Sequence, residues 1–404
     1  MNRKQFAILL VLVIVVGVAG LRLRKKEGAS WNSGNAAIGK KLLGDLPVND
    51  VAHLTLTQGT NSLNLYKKDD LWRVRERNDY PANFSAISDF LIKIHDVKIT
   101  QSEKAGPSQL SRLALTPGQG TNAALVVDFK DASDKPLRSL LLGKNHMKKS
   151  DRPSPMGEEE SWPDGRWVKV GGNSDDVAVI SDALSNIEPK PEAWLNKDFF
   201  KVEKIQSIAV AFPVATNSWH VSRDSESAEW KLADARPGEQ LDSAKTSSLS
   251  GALGSPTFND VDTTSKPEPL GLDKPTEVTL DTFEHMTYTV KVGQKTNDNY
   301  PLAVSVAAQF PKERTPTKDE KPEDKAKLEK EFKDGQKKLE DKLAQEQGYG
   351  KWVYLVSSWS IDPVLKERAQ LMVEKKEEPK KDEKPAASLA PTASEPTNHS
   401  ADIK

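Results

Sequence analysis

The sequence predicts an α+β protein of two repeated units, each an antiparallel sheet with one principal helix packed on it, preceded by a single transmembrane helix. Three observations support this prediction: short strand-like segments bounded by proline and polar turns, a tryptophan-to-helix motif that occurs twice, and one unbroken apolar run near the N-terminus. The chain has 404 residues, 36% of them hydrophobic, which is enough for two domains with cores of their own.

Composition excludes several functional classes. Charged residues make up 29% of the chain, yet the net charge is only −1, so there is no case for a concentrated basic surface that binds nucleic acid. The chain has no cysteine, which excludes disulfides, thiolate nucleophiles, thiolate zinc sites and iron–sulfur ligation.

The run from Phe6 to Leu21 is uniformly apolar and predicts a membrane anchor within residues 1–26. Sixteen residues in a helix span about 24 Å, and Arg22 and Arg24 can snorkel to complete a hydrocarbon core of about 30 Å. The run lacks a good small-residue cleavage site, which favours an uncleaved signal anchor over a cleaved signal peptide. Long domains translocate largely regardless of flanking charge, so we expect an extracytoplasmic body.

The motif that sets the repeat begins after a linker at residues 27–48, within a first unit predicted at residues 49–203. Residues 71–74 read Leu-Trp-Arg-Val, a strand with a tryptophan, and residues 81–83 read Pro-Ala-Asn. An apolar-periodic run then continues from Phe84 to Leu91, which predicts a helix with Asn83 as its N-cap.

The same order of motifs returns in a second unit, predicted at residues 204–374. Residues 229–232 read Glu-Trp-Lys-Leu, followed by a proline turn and a weaker helix. Farther on, the Leu-x-Leu segments at residues 113–117 and 270–275 correspond, and so do the strand-ending glycines Gly143 and Gly293. This correspondence predicts one duplicated fold with changes in its loops.

A charged segment at residues 311–350 has no counterpart in the first unit. It precedes Trp352, which we match to Trp167 because the two surrounding strands read alike. Its helical spacing of apolar residues predicts a salt-bridged helix, and a docking arm for a partner is the alternative. Residues 375–404 are rich in lysine, glutamate, proline and alanine, and we expect them to be disordered.

The order of these motifs resembles the family called domain of unknown function 4340. The resemblance extends roughly from Val48 to Val373 and rests on the tryptophan strand, the Pro-Ala-Asn helix start, the Leu-x-Leu-x-Pro segment and the apolar strand that ends in glycine. It implies a single-pass protein of the bacterial inner membrane with a periplasmic body, related to accessory components of gliding-motility-type ABC transporters. The charged insert, the tail and the weak second helix depart from the pattern.

The sequence offers no catalytic, cofactor-binding or metal-binding residues. Its six histidines form no His-x-x-x-His or Glu-x-x-His pair, and it contains no Gly-x-Ser-x-Gly or Ser-x-x-Lys motif. The tryptophans in the repeated strands are better explained by core packing than by a sugar-stacking platform. Trp162, Trp194 and Trp359 lie outside those strands, and we predict them as possible exposed aromatic contacts.

Three functional classes follow from these observations. The first is a non-enzymatic accessory subunit of a membrane assembly with ABC transporter subunits as partners, which the anchor and the resemblance favour. The second is a binding module for cell-wall glycan or exopolysaccharide. The third is a hydrolase with two converging carboxylates, for which the sequence offers no spaced pair.

Overall fold

A computed structural model describes residues 37–120, 122–149, 161–171, 175–264, 266–316 and 320–373. Within these residues the chain forms two antiparallel sheets with few helices, which confirms the α+β class. No helix among them is both long enough and apolar enough to cross a membrane. The predicted anchor at Phe6 to Leu21 and the predicted disordered tail at residues 375–404 both lie outside the described residues.

The first sheet has nine strands in the order β4-β3-β2-β1-β6-β7-β8-β9-β5. Its strands are β1 His53–Gln58, β2 Asn61–Lys68, β3 Leu71–Val74, β4 Tyr80–Pro81, β5 Ile99–Lys104, β6 Leu125–Lys130, β7 Pro136–Lys149, β8 Ser161–Val170 and β9 Asp176–Ile180. Two helices accompany it, α1 Phe84–Asp96 and α2 Pro107–Arg112, with 3₁₀ turns at Val48–Asp50, Arg75–Arg77 and Pro191–Trp194.

Helix α1 begins where the sequence predicts. The side chain of Asn83 accepts a hydrogen bond from the backbone N–H of Ala86 at 3.1 Å, which satisfies one of the unpaired donors of the first turn. The inner face of the helix buries Ile87, Phe90 and Ile94 against the sheet. The 3.6-residue period of these apolar positions therefore supplies the packing that stabilises the helix.

The second sheet has eight strands in the order β12-β11-β10-β14-β15-β16-β17-β13. Its strands are β10 Ile205–Ala211, β11 Trp219–Ser222, β12 Lys231–Leu232, β13 Phe258–Asp262, β14 Thr276–Thr282, β15 Met286–Val292, β16 Asn299–Ala308 and β17 Val353–Ser357. Three helices accompany it, α3 Ser243–Thr246, α4 Pro322–Gln347 and α5 Ser358–Ile361, with 3₁₀ turns at Ala215–Asn217, Ser247–Gly251, Glu268–Leu270, Gly348–Lys351 and Arg368–Leu371.

The two sheets repeat one strand order. Strands β1 to β3 correspond to β10 to β12, β5 corresponds to β13, and β6 to β9 correspond to β14 to β17. Val74 and Leu232 take matching register positions against β2 and β11, and Trp72 and Trp230 each lie two residues earlier. The predicted match between these tryptophans is therefore confirmed, although Trp72 is buried and Trp230 is half-buried.

The predicted match between Trp167 and Trp352 is wrong. Trp167 lies in β8, whereas Trp352 immediately precedes β17, the counterpart of β9. Helix α4 does occupy the predicted charged insert, but it lies between β16 and β17, whereas the corresponding strands of the first unit, β8 and β9, are separated by only residues 171–175. The sequences around Trp167 and Trp352 are similar, but the place of each strand in its sheet depends on pairing with residues far away in the chain.

The apolar core is continuous across the two sheets. One cluster of buried side chains includes residues from β1 through β17, and aromatic rings join its two parts. Tyr80 of β4 makes edge contacts with Phe258 of β13 and Tyr354 of β17, at centroid distances of 5.9 and 6.1 Å. The β4 edge of the first sheet therefore packs against the β13 side of the second sheet.

Candidate functional site

A cleft of about 770 Å³ lies where the first sheet meets the segment that leads into the second sheet. Three stretches line it: residues 70–72 at the start of β3, residues 81–85 at the start of α1, and residues 196–198 of the connecting segment. We refer to this space as the junction cleft. Its volume lies within the range of small-ligand and side-chain pockets in proteins.

Backbone hydrogen bonds hold the walls of the junction cleft together. The N–H of Asn83 donates to the carbonyl of Trp194 at 2.7 Å, and the N–H of Asn196 donates to the carbonyl of Pro81 at 2.9 Å. Ala82 and Leu195 form an isolated antiparallel bridge between these two bonds. The end of the first unit is thus paired with the residues that begin helix α1.

Lys197, which lines the junction cleft, contacts strand β13 of the second sheet. Its Nζ atom donates to the carbonyl of Asn259 at 2.7 Å and lies 4.6 Å from the centroid of the Phe258 ring. Burial of the ammonium group lowers the pKa of Lys197. Beside it, the guanidinium of Arg77 makes two hydrogen bonds to the carboxylate of Asp260, at 2.6 and 2.7 Å.

Two large apolar side chains on the rim of the junction cleft are exposed. Leu71 is 55% exposed and Phe84 is 66% exposed, while Trp72 between them in the lining is buried. Ile92, two turns farther along α1, is also exposed. Single exposed apolar residues are common on protein surfaces, but two that share one concave cleft are typical of a binding surface.

The second unit shows that the fold does not require these apolar residues. There the N–H of Asp242 donates to the carbonyl of Leu371, and Leu241 bridges to Met372, as in the first unit. By this correspondence Glu229 takes the position of Leu71 before the tryptophan, and Ser243 takes the position of Phe84 after the N-cap. The same backbone therefore tolerates polar side chains at both places.

The three tryptophans predicted as exposed contacts have different environments. Trp162 in β8 and Trp359 in α5 are exposed, and no other observation tests their role as contacts. Trp194 is only 3% exposed, so the prediction that it is an exposed aromatic is wrong. Its ring packs edge-on against Phe90 at 6.2 Å, and its Nε1 donates to the carbonyl of Glu188 at 2.9 Å. Trp194 is thus a core residue that closes the first unit.

Sequence reasoning missed Leu71 and Phe84. Leu71 precedes Trp72 and Phe84 follows Asn83. The sequence motif accounts for Trp72 as a strand residue and for Asn83 as an N-cap, but it gives no role to their neighbours. A position-by-position comparison of the two motif copies would have shown an apolar residue in one copy and a polar residue in the other. That contrast is the sequence signal that points to the junction cleft.

Two histidines of the described residues, His53 and His146, each pair with one aspartate. Nδ1 of His53 lies 2.7 Å from a carboxylate oxygen of Asp134, and Nδ1 of His146 lies 2.6 Å from one of Asp164. The hydrogen bond from each histidine lowers the pKa of its aspartate. In the part of the chain that the structure describes, no group of three or more histidine, aspartate or glutamate side chains is placed to hold a metal ion.

These features define a class of protein: a tandem α+β repeat with an apolar-rimmed cleft at the junction of its units. Residues 156–275 match the model of the family described as domain of unknown function (DUF4340). The match confirms the family resemblance for this segment, which contains the Asn196 to Asp198 wall of the junction cleft. No curated protein and no solved structure is significantly similar to the chain.

Proposed function

We propose that this chain is a non-enzymatic, membrane-anchored accessory protein of a bacterial membrane assembly, associated with an ABC transporter, and that the junction cleft binds a partner subunit. The observation that supports this most directly is the pair of exposed apolar residues, Leu71 and Phe84, on one concave rim. Their counterparts in the second unit, Glu229 and Ser243, are polar, so packing within the fold does not account for them.

Burial of Leu71 and Phe84 by a partner would contribute favourably to the free energy of binding. Covering what remains exposed of each rim side chain is worth about 1 to 2 kcal/mol, because full burial of a leucine or phenylalanine contributes about 1.5 to 3 kcal/mol. Two such anchors in a preformed cleft resemble the few residues that carry most of the binding energy in protein interfaces. The backbone bonds that hold residues 81–85 against residues 194–196 keep the cleft in shape before binding.

The remaining parts of the proposal rest on the sequence. The apolar run from Phe6 to Leu21 supports attachment to the inner membrane with a periplasmic body, and the family resemblance supports a transporter-associated role. In this arrangement the anchor keeps the cleft near membrane-embedded subunits. A fixed attachment of this kind raises the effective concentration of the cleft for its partner.

The test is a cross-linked pull-down from membranes with the full chain. The double variant Leu71→Glu, Phe84→Ser places the residues of the second unit on the first, so it is expected to fold and to lose capture of the permease and ATPase subunits of a transporter. The matched control is Val214→Ser, which removes an exposed apolar side chain from a loop of the second unit. Equal recovery of transporter subunits by both variants and the unaltered protein would refute the proposal.

The alternative, a module that binds cell-wall glycan or exopolysaccharide, is favoured by one observation at a different place. Trp359 is 65% exposed and lines a second cleft beside helix α5. Recovery of wall fragments alone in the pull-down, with no transporter subunit, favours this alternative over the first proposal.

A further inference from the structure

A second cleft, of about 290 Å³, lies beside helix α5 in the second unit. The residues on its walls come from two places: the turn that follows α3, at residues 248–256, and the segment around α5, at residues 359–364. We refer to it as the α5 cleft. It lies apart from the junction cleft and shares no lining residue with it.

Among the residues that the structure describes, none of those that line the α5 cleft is charged. This is unusual for a chain in which 29% of residues are charged. The junction cleft includes Asp70, Lys197 and Asp198, and a groove beside helix α4 includes Glu284 and Glu331. A lining without charge favours a neutral ligand, because a charged ligand would lose hydration without gaining a counter-charge.

The lining of the α5 cleft combines one aromatic platform with small polar groups. The indole of Trp359 is largely exposed, and Ser248, Ser255 and Ser360 contribute hydroxyl groups. Within the described residues, the Oγ atom of Ser360 is buried and has no hydrogen-bond partner. Because that oxygen is closed off from the surface, the hydroxyl groups open to a ligand are those of the exposed Ser248 and Ser255.

The fold itself does not need a tryptophan at this position. Near the ends of the corresponding strands β9 and β17, Ile180 and Val356 take matching register positions, opposite Ile99 and Phe258. Counting three residues onward from each gives Ala183 in the first unit and Trp359 in the second. The first unit therefore has an alanine where the second unit has Trp359, and the exposed indole of Trp359 does not pack in the core.

From these contacts we propose that the α5 cleft binds a neutral sugar ring of an oligosaccharide, with the ring stacked on Trp359. A pyranose has a face of C–H groups, which packs on an indole, and a rim of hydroxyl groups, which can pair with the exposed side chains of Ser248 and Ser255. An apolar peptide side chain would also cover the indole, but it would remove water from the hydroxyl groups of Ser248 and Ser255 without giving them hydrogen bonds in return.

The experiment measures binding of two neutral tetrasaccharides, tetra-N-acetylchitotetraose and cellotetraose, by isothermal titration calorimetry. It uses the full chain in a detergent without a sugar head group, because glycosidic detergents would compete. We expect saturable binding of at least one probe, weakened at least tenfold by Trp359→Ala. The matched control is Trp162→Ala, which removes an exposed tryptophan from β8 and is expected to bind as the unaltered protein does.

A second variant blocks the cleft without removing the indole. A Cβ atom at Gly251 would meet no atom within 4 Å, so Gly251→Gln is expected to fold and to take up space in the cleft. It is expected to weaken binding as Trp359→Ala does. The inference is overturned if neither sugar saturates by about 10 mM, or if Trp359→Ala binds as tightly as Trp162→Ala. Either result leaves partner binding at the junction cleft untouched, because Leu71 and Phe84 lie in the other unit.

Discussion

Gly143 and Gly293 occupy the same point of the two sheets, and each lies directly against the backbone carbonyl of a leucine. The N–H of Lys144 donates to the carbonyl of Leu113, and the N–H of Gln294 donates to the carbonyl of Leu270, both at 2.9 Å. A Cβ atom at either glycine would overlap that carbonyl oxygen. The Leu-x-Leu segment and the matching glycine of each unit therefore form one repeated contact, although Gly143 lies within β7 and does not end its strand as the sequence predicts, whereas Gly293 follows the end of β15.

This contact predicts that Gly143→Ala and Gly293→Ala each destabilise the protein. Because backbone atoms cannot easily move aside, we expect each variant to lower the free energy of unfolding by about 1 to 3 kcal/mol. Urea unfolding measures the change. The control is Gly335→Ala in the interior of α4, where a Cβ meets open space and is expected to stabilise the helix by about 1 kcal/mol. Equal effects at all three glycines would contradict the repeated contact.

The ion pair between Arg77 and Asp260 predicts coupling between the two sheets. Both side chains are largely covered, and the pair is bidentate, so Asp260→Asn is expected to cost about 1 to 3 kcal/mol of unfolding free energy. A double-mutant cycle with Arg77→Met, followed by urea unfolding, isolates the pairwise part. Asp70→Asn serves as control, since the exposed Asp70 to Lys67 pair is expected to contribute little. Additive single effects would show that the pair does not join the sheets.

We expect the contact between the Glu239 carboxylate and Arg368, near the end of the described chain, to be sensitive to acid. Hydrogen bonds from the Arg368 guanidinium lower the pKa of Glu239 from 4.5 to about 2. A lowered folded-state pKa means that the stabilisation is present above pH 4.5 and is lost as the pH falls toward 2. We expect the difference in stability between the unaltered protein and Glu239→Gln to shrink over that range in thermal unfolding. The control is Glu268→Gln at an exposed position, whose stability difference should not change over this pH range. If it changes as much as that of Glu239→Gln, the contact between Glu239 and Arg368 is not the cause.

We expect the buried side chain of Glu346, at the end of α4, to hold this helix against the second sheet. Glu346 accepts hydrogen bonds from the Tyr288 hydroxyl at 2.7 Å and from the Lys201 N–H at 3.1 Å, and burial raises the pKa of Glu346. Glu346→Ala removes the acceptor of the Lys201 N–H and leaves the Tyr288 hydroxyl with longer contacts to the Lys201 carbonyl and to Met286, so we expect a loss of about 1 to 3 kcal/mol and faster hydrogen exchange in the last turns of α4. Glu340→Ala, on the exposed side, is the control. Unchanged exchange in Glu346→Ala would show that other contacts hold the helix.

Local motifs predicted much of the fold correctly. The N-cap at Asn83, the helix in the charged insert and the match between Trp72 and Trp230 all depend on spacing within a few residues, which the chain shows directly. The match between Trp167 and Trp352 failed because it required knowing which strand pairs with which. That information lies in contacts far apart along the chain, and similar five-residue strings cannot supply it.

By itself, the sequence determined that one tryptophan-bearing unit occurs twice, because strand and helix periods are properties of neighbouring residues. Only the tertiary structure decided which apolar side chains remain outside. Trp194 is buried under α1, while Leu71, Phe84 and Trp359 line open clefts. Exposure depends on what the rest of the chain brings to each residue, so the sequence could name Trp359 as a candidate contact but could not separate it from the buried Trp194.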